Sequence, residues 1–196
     1  MGLCMDELFP VFLKLSGRKA LVVGGGRMAT TRAKQLLAAG AQVTVVAAEA
    51  GAELTRFAAL GKLQLIVKAF EPGDLSPDYL LVVGATNQAA AQRAIAKSAR
   101  ALRVLCSLVD APQRSDFYTP AVVERGNLKI AICTSGSSPT LSGRLRRLLD
   151  EALPASAADW TRAFGRLRRQ LLKAFPADPR KRRALTSKLI DKAALE

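Results

Sequence analysis

The chain has 196 residues, of which 49% are hydrophobic and 23% are charged, and its formal net charge is +14. It contains no histidine, so histidine-ligated zinc, Ser-His-Asp triads and an imidazole general base are excluded. Proton transfer must therefore fall to a carboxylate, a lysine, a tyrosine or a cysteine. No apolar run approaches the roughly 20 residues of a membrane span, and the first ten residues lack the pattern of a signal peptide. We therefore expect a cytoplasmic protein without a membrane segment.

Positive charge is concentrated towards the end of the chain. Residues 1–140 have 16 basic and 10 acidic side chains, whereas residues 141–196 have 14 and 6. A field of that sign attracts polyanions: nucleic acid, an anionic membrane or a substrate with many carboxylates. The alternative is that these basic residues form an ordinary solvated face.

The first elements in chain order are an apolar segment and a glycine-rich unit. Residues 8–15 are apolar with a proline near the start, which favours an extended edge segment. Residues 19–49 then read as strand, glycine turn, helix, strand and acid, the order of one βαβ unit. In the turn, Gly24 permits the tight bend, Gly26 lets the backbone approach a pyrophosphate, and Ala29 lets the helix pack close to the strand. The pattern predicts dinucleotide binding at the helix N-terminus; the alternative is a structural turn in another doubly wound sheet.

Strands and helices continue to alternate up to residue 110. The pattern predicts helices at residues 29–39, 50–60 and 87–99, the last capped by Asn87, and strands at residues 20–23, 43–47, 63–68, 79–83 and 104–109. This order predicts an α/β, Rossmann-type fold, with a parallel sheet covered by helices on both faces.

The pattern changes after residue 110. Two extended runs at residues 117–123 and 128–133 predict a β-hairpin, which is marginal alone and must pair with the sheet or with a second subunit. Helices follow, one starting at Ser138 and Pro139, another at residue 157 after a break at Pro154, and a last one after Pro179. We expect three parts: a Rossmann domain at residues 1–113, a hairpin and helix at residues 114–153, and a helical C-terminal domain at residues 154–196.

Asp110 is the first candidate for catalysis. It follows the last predicted strand of the sheet, at the carboxyl edge where open α/β sheets bind their ligands. A partly buried carboxylate at that edge can act as an acid or base. The alternative is that Asp110 caps a turn before Pro112, and the residues alone leave both interpretations open.

A hydroxyl-rich turn is the second candidate. Hydroxyls, a glycine and a helix N-terminus together can bind a phosphate or a carboxylate. Ordinary N-capping by Ser138 is the alternative, and it is compatible with anion binding. The turn consists of Thr134, Ser135, Gly136, Ser137 and Ser138.

The remaining charged and reactive side chains have ordinary structural explanations. The arginines at 144, 146, 147, 162, 166, 168 and 169 lie on amphipathic helices and are interpreted as solvated surface. Aromatic residues make up 5% of the chain and do not interleave with the arginines, which disfavours base stacking and hence nucleic acid as a partner. Cys4, Cys106 and Cys133 are far apart and odd in number, which disfavours a disulfide framework. The last two are interpreted as inert core residues, and no metal ligands are predicted.

These residues resemble the sirohaem-synthesis dehydrogenases, that is, precorrin-2 dehydrogenase and the dehydrogenase–ferrochelatase part of larger sirohaem synthases. The matching segments keep the family's order and spacing over about the first 150 residues. SLVDAP followed by the serine-rich turn is more specific than the glycine turn. The segments are FPVFLKLSGRKALVVGGG at 9–26, LVVGATN at 81–87, SLVDAP at 107–112, FYTPAVVERGNLKIAICTSGSSP at 117–139 and LRRLL at 145–149.

The resemblance implies oxidation of precorrin-2 to sirohydrochlorin with NAD as cofactor, and in several members a subsequent insertion of Fe²⁺. The family's essential aspartate falls on Asp110, and a serine that is phosphorylated in some members falls on Thr134. Members are homodimers, with the hairpin in the interface. The resemblance together with the glycine pattern implies cofactor contacts at Gly24, Gly25, Gly26, Arg27, Met28, Ala48, Glu49 and Thr86. The hydroxyl-rich turn and the basic residues would bind the anionic tetrapyrrole substrate.

The chain departs from the family in two places. Met28 stands where many members have valine, and the sequence after Pro154 does not align, with no methyltransferase domain following it. We therefore expect that this chain does not make precorrin-2 itself. Two alternatives remain: an NAD-sensing regulator that binds nucleic acid through its basic C-terminal helices, and a Rossmann dehydrogenase for another anionic substrate. The regulator requires no carboxylate at Asp110.

Overall fold

A computed structural model of the chain describes residues 7–192, with side chains described up to residue 190. The chain divides into two compact units, Met1–Thr119 and Pro120–Glu196. The predicted domain boundaries at residues 113 and 153 stay predictions. Cys4 lies outside the described residues.

The first unit contains a five-stranded parallel sheet. Its strands are β1 (Lys19–Val23), β2 (Gln42–Ala47), β3 (Gln64–Val67), β4 (Tyr79–Gly84) and β5 (Leu105–Leu108), in the spatial order β3-β2-β1-β4-β5. Its helices are α1 (Arg27–Ala38), α2 (Ala52–Ala59) and α3 (Ala89–Leu102), with 3₁₀ turns at Pro72–Asp74 and Pro112–Arg114. The strand order reverses between β1 and β4, as in a Rossmann-type fold. The predicted fold class is confirmed.

Helices cover both faces of this sheet. On one face, Ala20 and Val22 of β1 pack in a cluster with Ala33 of α1. On the other face, Leu21 packs in a cluster with Ile95 of α3. Successive residues of a strand point to opposite faces, so a strand covered on both faces is apolar without interruption. Burial of the strands on both faces therefore explains the uninterrupted apolar runs in the sequence.

Two local predictions for the first unit are wrong. Residues 8–15 form no strand: Phe9 and Phe12 are 85% and 69% exposed, and the segment pairs with neither outer strand of the sheet. Pro10 has no N–H with which to extend a strand ladder. Asn87 does not cap α3, because the residue before its first turn is Gln88, whose backbone N–H donates to Thr86 Oγ1 at 3.2 Å.

The second unit contains the predicted hairpin and three helices. Strands β6 (Ala121–Arg125) and β7 (Leu128–Ile132) pair antiparallel around Gly126, whose φ of +59° lies in the left-handed region that glycine favours. The helices are α4 (Pro139–Ala152), α5 (Ala157–Ala174) and α6 (Pro179–Lys192). None of the described helices is both long and apolar enough to cross a membrane.

Arg125 joins the hairpin to the end of α4. Its Nη1 donates to Asp150 Oδ1 at 2.8 Å, its Nη2 donates to the Asp150 carbonyl at 2.7 Å, and its Nε donates to the Leu153 carbonyl at 3.3 Å. A cation at a helix C-terminus satisfies unpaired carbonyls and opposes the negative end of the helix dipole. This arginine therefore fixes the strand against the helix that follows it.

The two described cysteines lie in different environments. Cys106 is buried in β5, and that burial, with a smaller effect of the Asp116 carboxylate, raises the pKa of its thiol to about 11. Cys133 is exposed, one residue beyond the end of β7. The interpretation as an inert core residue is correct for Cys106 and wrong for Cys133, because the hairpin strand ends before it.

Candidate functional site

The glycine turn after β1 contacts the backbone at the ends of two neighbouring strands. Gly24 has a φ of +129°, and a Cβ there would lie 2.3 Å from the Ala85 carbonyl oxygen beyond β4. A Cβ on Gly25 would lie 1.7 Å from the Glu49 carbonyl oxygen beyond β2. Neither position can hold a side chain without moving backbone. The turn, the Glu49 segment and the Ala85 segment therefore form one tightly packed group at the carboxyl edge of the sheet.

The space in front of α1 is open, by contrast. Gly26 is the N-cap of α1, no side chain caps that helix, and no acidic residue lies in its first turn. A Cβ on Gly26 would meet no atom within 4 Å. Free N–H groups and the positive end of the helix dipole favour an anion there. These features fit the pyrophosphate of a dinucleotide, with the exposed Arg27 and Met28 in the first helical turn beside it.

The predicted contacts after β2 lie beside the same turn. Ala48 and Glu49 are exposed immediately beyond the strand, and the Gly51 N–H donates to the Gly25 carbonyl at 3.0 Å. The Glu49 carboxylate makes no hydrogen bond or ion pair with the part of the chain that is described. A free carboxylate at the end of the second strand suits recognition of adenosine ribose hydroxyls.

Thr86 completes the predicted cofactor site at the end of β4. The Ala85 N–H donates to the Val23 carbonyl at 2.8 Å, which joins this segment to β1. The Thr86 carbonyl accepts a hydrogen bond from Gln92 Nε2 at 2.7 Å. The structure thus brings together all the residues predicted to bind the cofactor, from the exits of β1, β2 and β4.

Asp110 lies in an exposed turn two residues beyond the end of β5. The expectation of partial burial is therefore wrong. Within residues 7–192 its carboxylate makes no hydrogen bond and no ion pair, so the turn-cap alternative has no support there. The side chain is free to act on a ligand at the carboxyl edge of the sheet.

Two residues that the sequence analysis did not identify cap the outer edge of β5. Ser115 Oγ accepts from the Leu108 N–H at 2.9 Å and donates to the Ala111 carbonyl at 3.1 Å. Asp116 Oδ2 accepts from the Cys106 N–H at 2.9 Å. A serine and an aspartate soon after a proline-containing turn are a signal for such capping. Because these two side chains satisfy the strand edge, Asp110 is not needed for it.

The hydroxyl-rich turn starts α4 in the second unit. Ser138 is the N-cap, and its side chain accepts from the Leu141 N–H at 3.2 Å, so the predicted N-capping is present. Thr134 Oγ1 accepts from the Ser138 N–H at 3.2 Å and lies 3.1 Å from Ser142 Oγ. Ser135 has a φ of +50°, which is rare for a residue with a side chain. Anion binding by this turn stays a prediction.

A groove in the second unit lies between α5 and α6. Its volume is about 620 Å³, and its lining includes Phe164, Leu171, Arg168, Arg182 and Arg183. Arg182 donates to the Pro176 carbonyl at 2.8 Å, so part of its charge is engaged. None of the predicted site residues lines this groove. In the described part of the chain, no group of three or more His, Cys, Asp or Glu side chains could hold a metal ion.

Comparisons with known proteins support a dinucleotide-binding first unit and show the family of the chain. Residues 11–121 match a family model described as "Putative NAD(P)-binding", and residues 125–152 match one described as "Sirohaem biosynthesis protein central". The solved structure of "SirC, precorrin-2 dehydrogenase" is 30% identical, with a TM-score of 0.79, over 96% of this chain and 92% of that chain. This chain belongs to the precorrin-2 dehydrogenase and sirohaem synthase family. The nicotinamide dinucleotide cofactor predicted from the glycine turn is thereby confirmed.

Longer relatives of the family share the same segment. A sirohaem synthase of Methylococcus capsulatus is 36% identical over 192 residues, which is 98% of this chain and 40% of that protein. A sirohaem synthase of Chromobacterium violaceum is 39% identical over 178 residues, which is 90% of this chain and 37% of that protein. The chain thus spans about two fifths of the length of these curated relatives. No similarity found supports the nucleic-acid-binding alternative.

The glycine turn yields a matched pair of substitutions. We expect Gly26→Ala to fold with only a small loss of melting temperature, because its Cβ meets open space and only the N-cap preference for glycine is lost, but to weaken NAD⁺ binding by about tenfold or more where a pyrophosphate approaches the backbone. We expect Gly25→Ala to lower the melting temperature markedly or to prevent folding, because its Cβ overlaps the Glu49 carbonyl. Calorimetric titration with NAD⁺ and thermal unfolding measure both effects. Parental NAD⁺ affinity in Gly26→Ala would contradict the proposed position of the pyrophosphate.

Proposed function

We propose that this chain oxidises precorrin-2 to sirohydrochlorin with NAD⁺ in sirohaem biosynthesis. The observation that supports this most directly is the free Asp110 carboxylate at the carboxyl edge of a dinucleotide-binding sheet. The family, and the similarity to a precorrin-2 dehydrogenase over nearly the whole chain, support the substrate. The other anionic-substrate dehydrogenase considered above has no such similarity in its favour.

The residues of the first unit divide the binding of NAD between them. The backbone of Gly24, Gly25 and Gly26 and the N-terminus of α1 would hold the pyrophosphate. The Glu49 carboxylate would accept hydrogen bonds from the adenosine ribose, and Thr86 would bound the cleft beside β4. Bound NAD⁺ supplies the hydride acceptor. All other chemistry must come from side chains of the protein.

Asp110 would accept the proton that leaves the substrate. Oxidation of precorrin-2 removes one hydride, which reduces the cofactor, and one proton, which needs a base. The chain has no histidine, and the exposed Asp110 carboxylate can take the proton and pass it to water. Its position after β5, on the carboxyl side of the sheet, is where ligands of this fold bind.

Basic residues and the hydroxyl-rich turn would recognise the tetrapyrrole. Precorrin-2 is a polycarboxylate, and the net charge of +14 favours its approach. The hydroxyls of Ser135 and Ser137 make no hydrogen bond with other described residues, so they remain available to a carboxylate. Thr134 and Ser138 instead shape the turn through their own hydrogen bonds.

Insertion of Fe²⁺ into sirohydrochlorin is the second reaction we propose. Metal insertion removes N–H protons from the macrocycle, and Asp110 is a free base that suits this step as well. The iron is a substrate here, and the macrocycle supplies its nitrogen ligands. An assay of iron insertion into sirohydrochlorin tests this proposal. A rate no higher than the uncatalysed rate would reject it.

The cytoplasmic location stays a prediction.

We also propose that the chain is a homodimer built around the hairpin and α4. Among residues 7–192, the second sheet has two strands, so β6 and β7 each have an outer edge that can pair with another chain. Leu141, Leu145 and Leu148 form an apolar stripe on α4, and they are 48%, 38% and 51% exposed. Spacings of four and three residues put them on one helix face, which a second copy would cover.

The cofactor preference follows from Glu49. We expect NAD⁺ to be preferred over NADP⁺, because a carboxylate repels a 2′-phosphate and binds the 2′-hydroxyl. Glu49→Gln should narrow the ratio of kcat/KM for the two cofactors by about tenfold or more, the value of a hydrogen bond to a charged group. Glu53→Gln, at a carboxylate paired with Lys34, is the control and should keep the ratio. Equal turnover of the parent chain with NADP⁺ would reject this role for Glu49.

The catalytic role of Asp110 is tested by removing its charge. Asp110→Asn should lower kcat for precorrin-2 oxidation by about 10²- to 10⁴-fold, the usual contribution of a general base, while NAD⁺ affinity stays at the parental value. Asp78→Asn is the matched control, because Asp78 is an exposed carboxylate at the opposite, amino-terminal edge of the same sheet. A folded Asp110→Asn enzyme with parental kcat would show that the mechanism is wrong.

The dimer is tested by placing a charge on the α4 stripe. Leu145→Glu should shift the sedimentation coefficient from dimer to monomer at micromolar concentration, because a buried unpaired carboxylate disfavours association. Leu172→Glu is the control, since Leu172 on α5 is 40% exposed, close to the 38% of Leu145, and lies outside the stripe. A parent chain that is monomeric and fully active would refute the homodimer.

A further inference from the structure

Gln92 is a buried polar residue on α3 that the sequence did not single out. Its side chain is 8% exposed, and a buried amide is costly unless it is hydrogen-bonded. Its Nε2 donates to the Thr86 carbonyl at 2.7 Å, across the loop between β4 and α3. On this alanine-rich helix, Gln92 therefore occupies a buried position that would otherwise suit an apolar residue. The acceptor of this hydrogen bond, the Thr86 segment, indicates its role.

Several hydrogen bonds hold the Thr86 segment, and one backbone donor of Thr86 stays free. Its carbonyl accepts from Gln92, and its Oγ1 accepts from the Gln88 N–H at 3.2 Å. The preceding peptide is fixed because the Ala85 N–H donates to Val23. The Thr86 N–H has no partner among the described residues. Its nitrogen would lie 3.3 Å from a Cβ placed on Gly24, so this free donor is next to the glycine turn.

The free donor therefore lies where the strand order reverses, between the exits of β1 and β4. Ligands of open α/β sheets bind in the crevice at such a point. We propose that Gln92 is a positioning residue for the dinucleotide site: it fixes the Thr86 segment so that the Thr86 N–H faces the bound cofactor. This proposal rests on the proposed use of NAD, and it adds a residue outside the cofactor contacts named above.

Binding of NAD⁺ to the full chain, measured by calorimetry without any tetrapyrrole, tests the proposal. Gln92→Leu should raise the Kd of NAD⁺ by about three- to tenfold, which is the range of a single lost hydrogen bond. The control is Ile95→Val, a substitution one turn along α3 at a fully buried side chain. It should lower the melting temperature while leaving the Kd unchanged, so it separates loss of stability from loss of positioning.

Gln92→Glu supplies a second, independent readout. A carboxylate cannot donate to the Thr86 carbonyl, whereas a protonated carboxyl group can. Because position 92 is buried, the pKa of a carboxyl group there should be raised. This variant should therefore bind NAD⁺ more weakly than the parent at pH 8 and approach parental affinity near pH 5. Parental affinity of Gln92→Leu, or a Gln92→Glu deficit that is the same at both pH values, would overturn the positioning role. A parent chain that itself does not bind NAD⁺ would instead reject the proposed function.

Discussion

The glycine turn after β1 lies so close to two neighbouring backbones that no side chain fits between them. Gly24 lies against the Ala85 carbonyl and Gly25 against the Glu49 carbonyl. This contact fixes where the ends of β2 and β4 lie relative to α1. The residues proposed to bind the cofactor come from three separate segments, which are placed by backbone contacts rather than by side-chain packing. Exchange of side chains such as valine for Met28 is therefore tolerable, whereas a Cβ at either of these glycines is not.

Asp110 depends on a different arrangement at the far edge of the sheet. The outer edge of β5 has unpaired backbone groups, and an aspartate in the following turn is the usual residue to satisfy them. Here Ser115 and Asp116 bind that edge instead. Their hydrogen bonds leave the Asp110 carboxylate exposed and unpaired within the described chain. Because Ser115 and Asp116 cap the edge of β5, the Asp110 side chain is available for chemistry.

Some of this structure could be predicted from the sequence because its signals are local. Continuous apolar strands, the glycine turn and Ser138 before Pro139 each specify nearby backbone, and these predictions agree with the structure. The role of Gln92 could not be predicted, since its hydrogen bond depends on the loop before α3 folding back by 6 residues. Ser115 and Asp116 follow a proline-containing turn, which is a signal for capping, but which strand groups they bind depends on the chain folding back by 7 and 10 residues. The predictions for residues 8–15 and Cys133 were wrong for a different reason. Their apolar patterns predicted an extended edge segment and a core strand residue, whereas Phe9 and Phe12 are exposed outside any strand and β7 ends at Ile132, before the exposed Cys133.

The charges of the molecule explain how two free carboxylates can serve an anionic substrate. Glu49 and Asp110 each repel a polycarboxylate at short range, and a local excess of acids would prevent binding. Residues 120–196 have 16 basic and 7 acidic side chains, and ion pairs such as Arg125 with Asp150 neutralise only part of this charge. The excess of basic over acidic side chains favours approach of a polyanion. In the proposed function, short-range repulsion is confined to Glu49, which would bind a ribose hydroxyl, and Asp110, which would accept a proton.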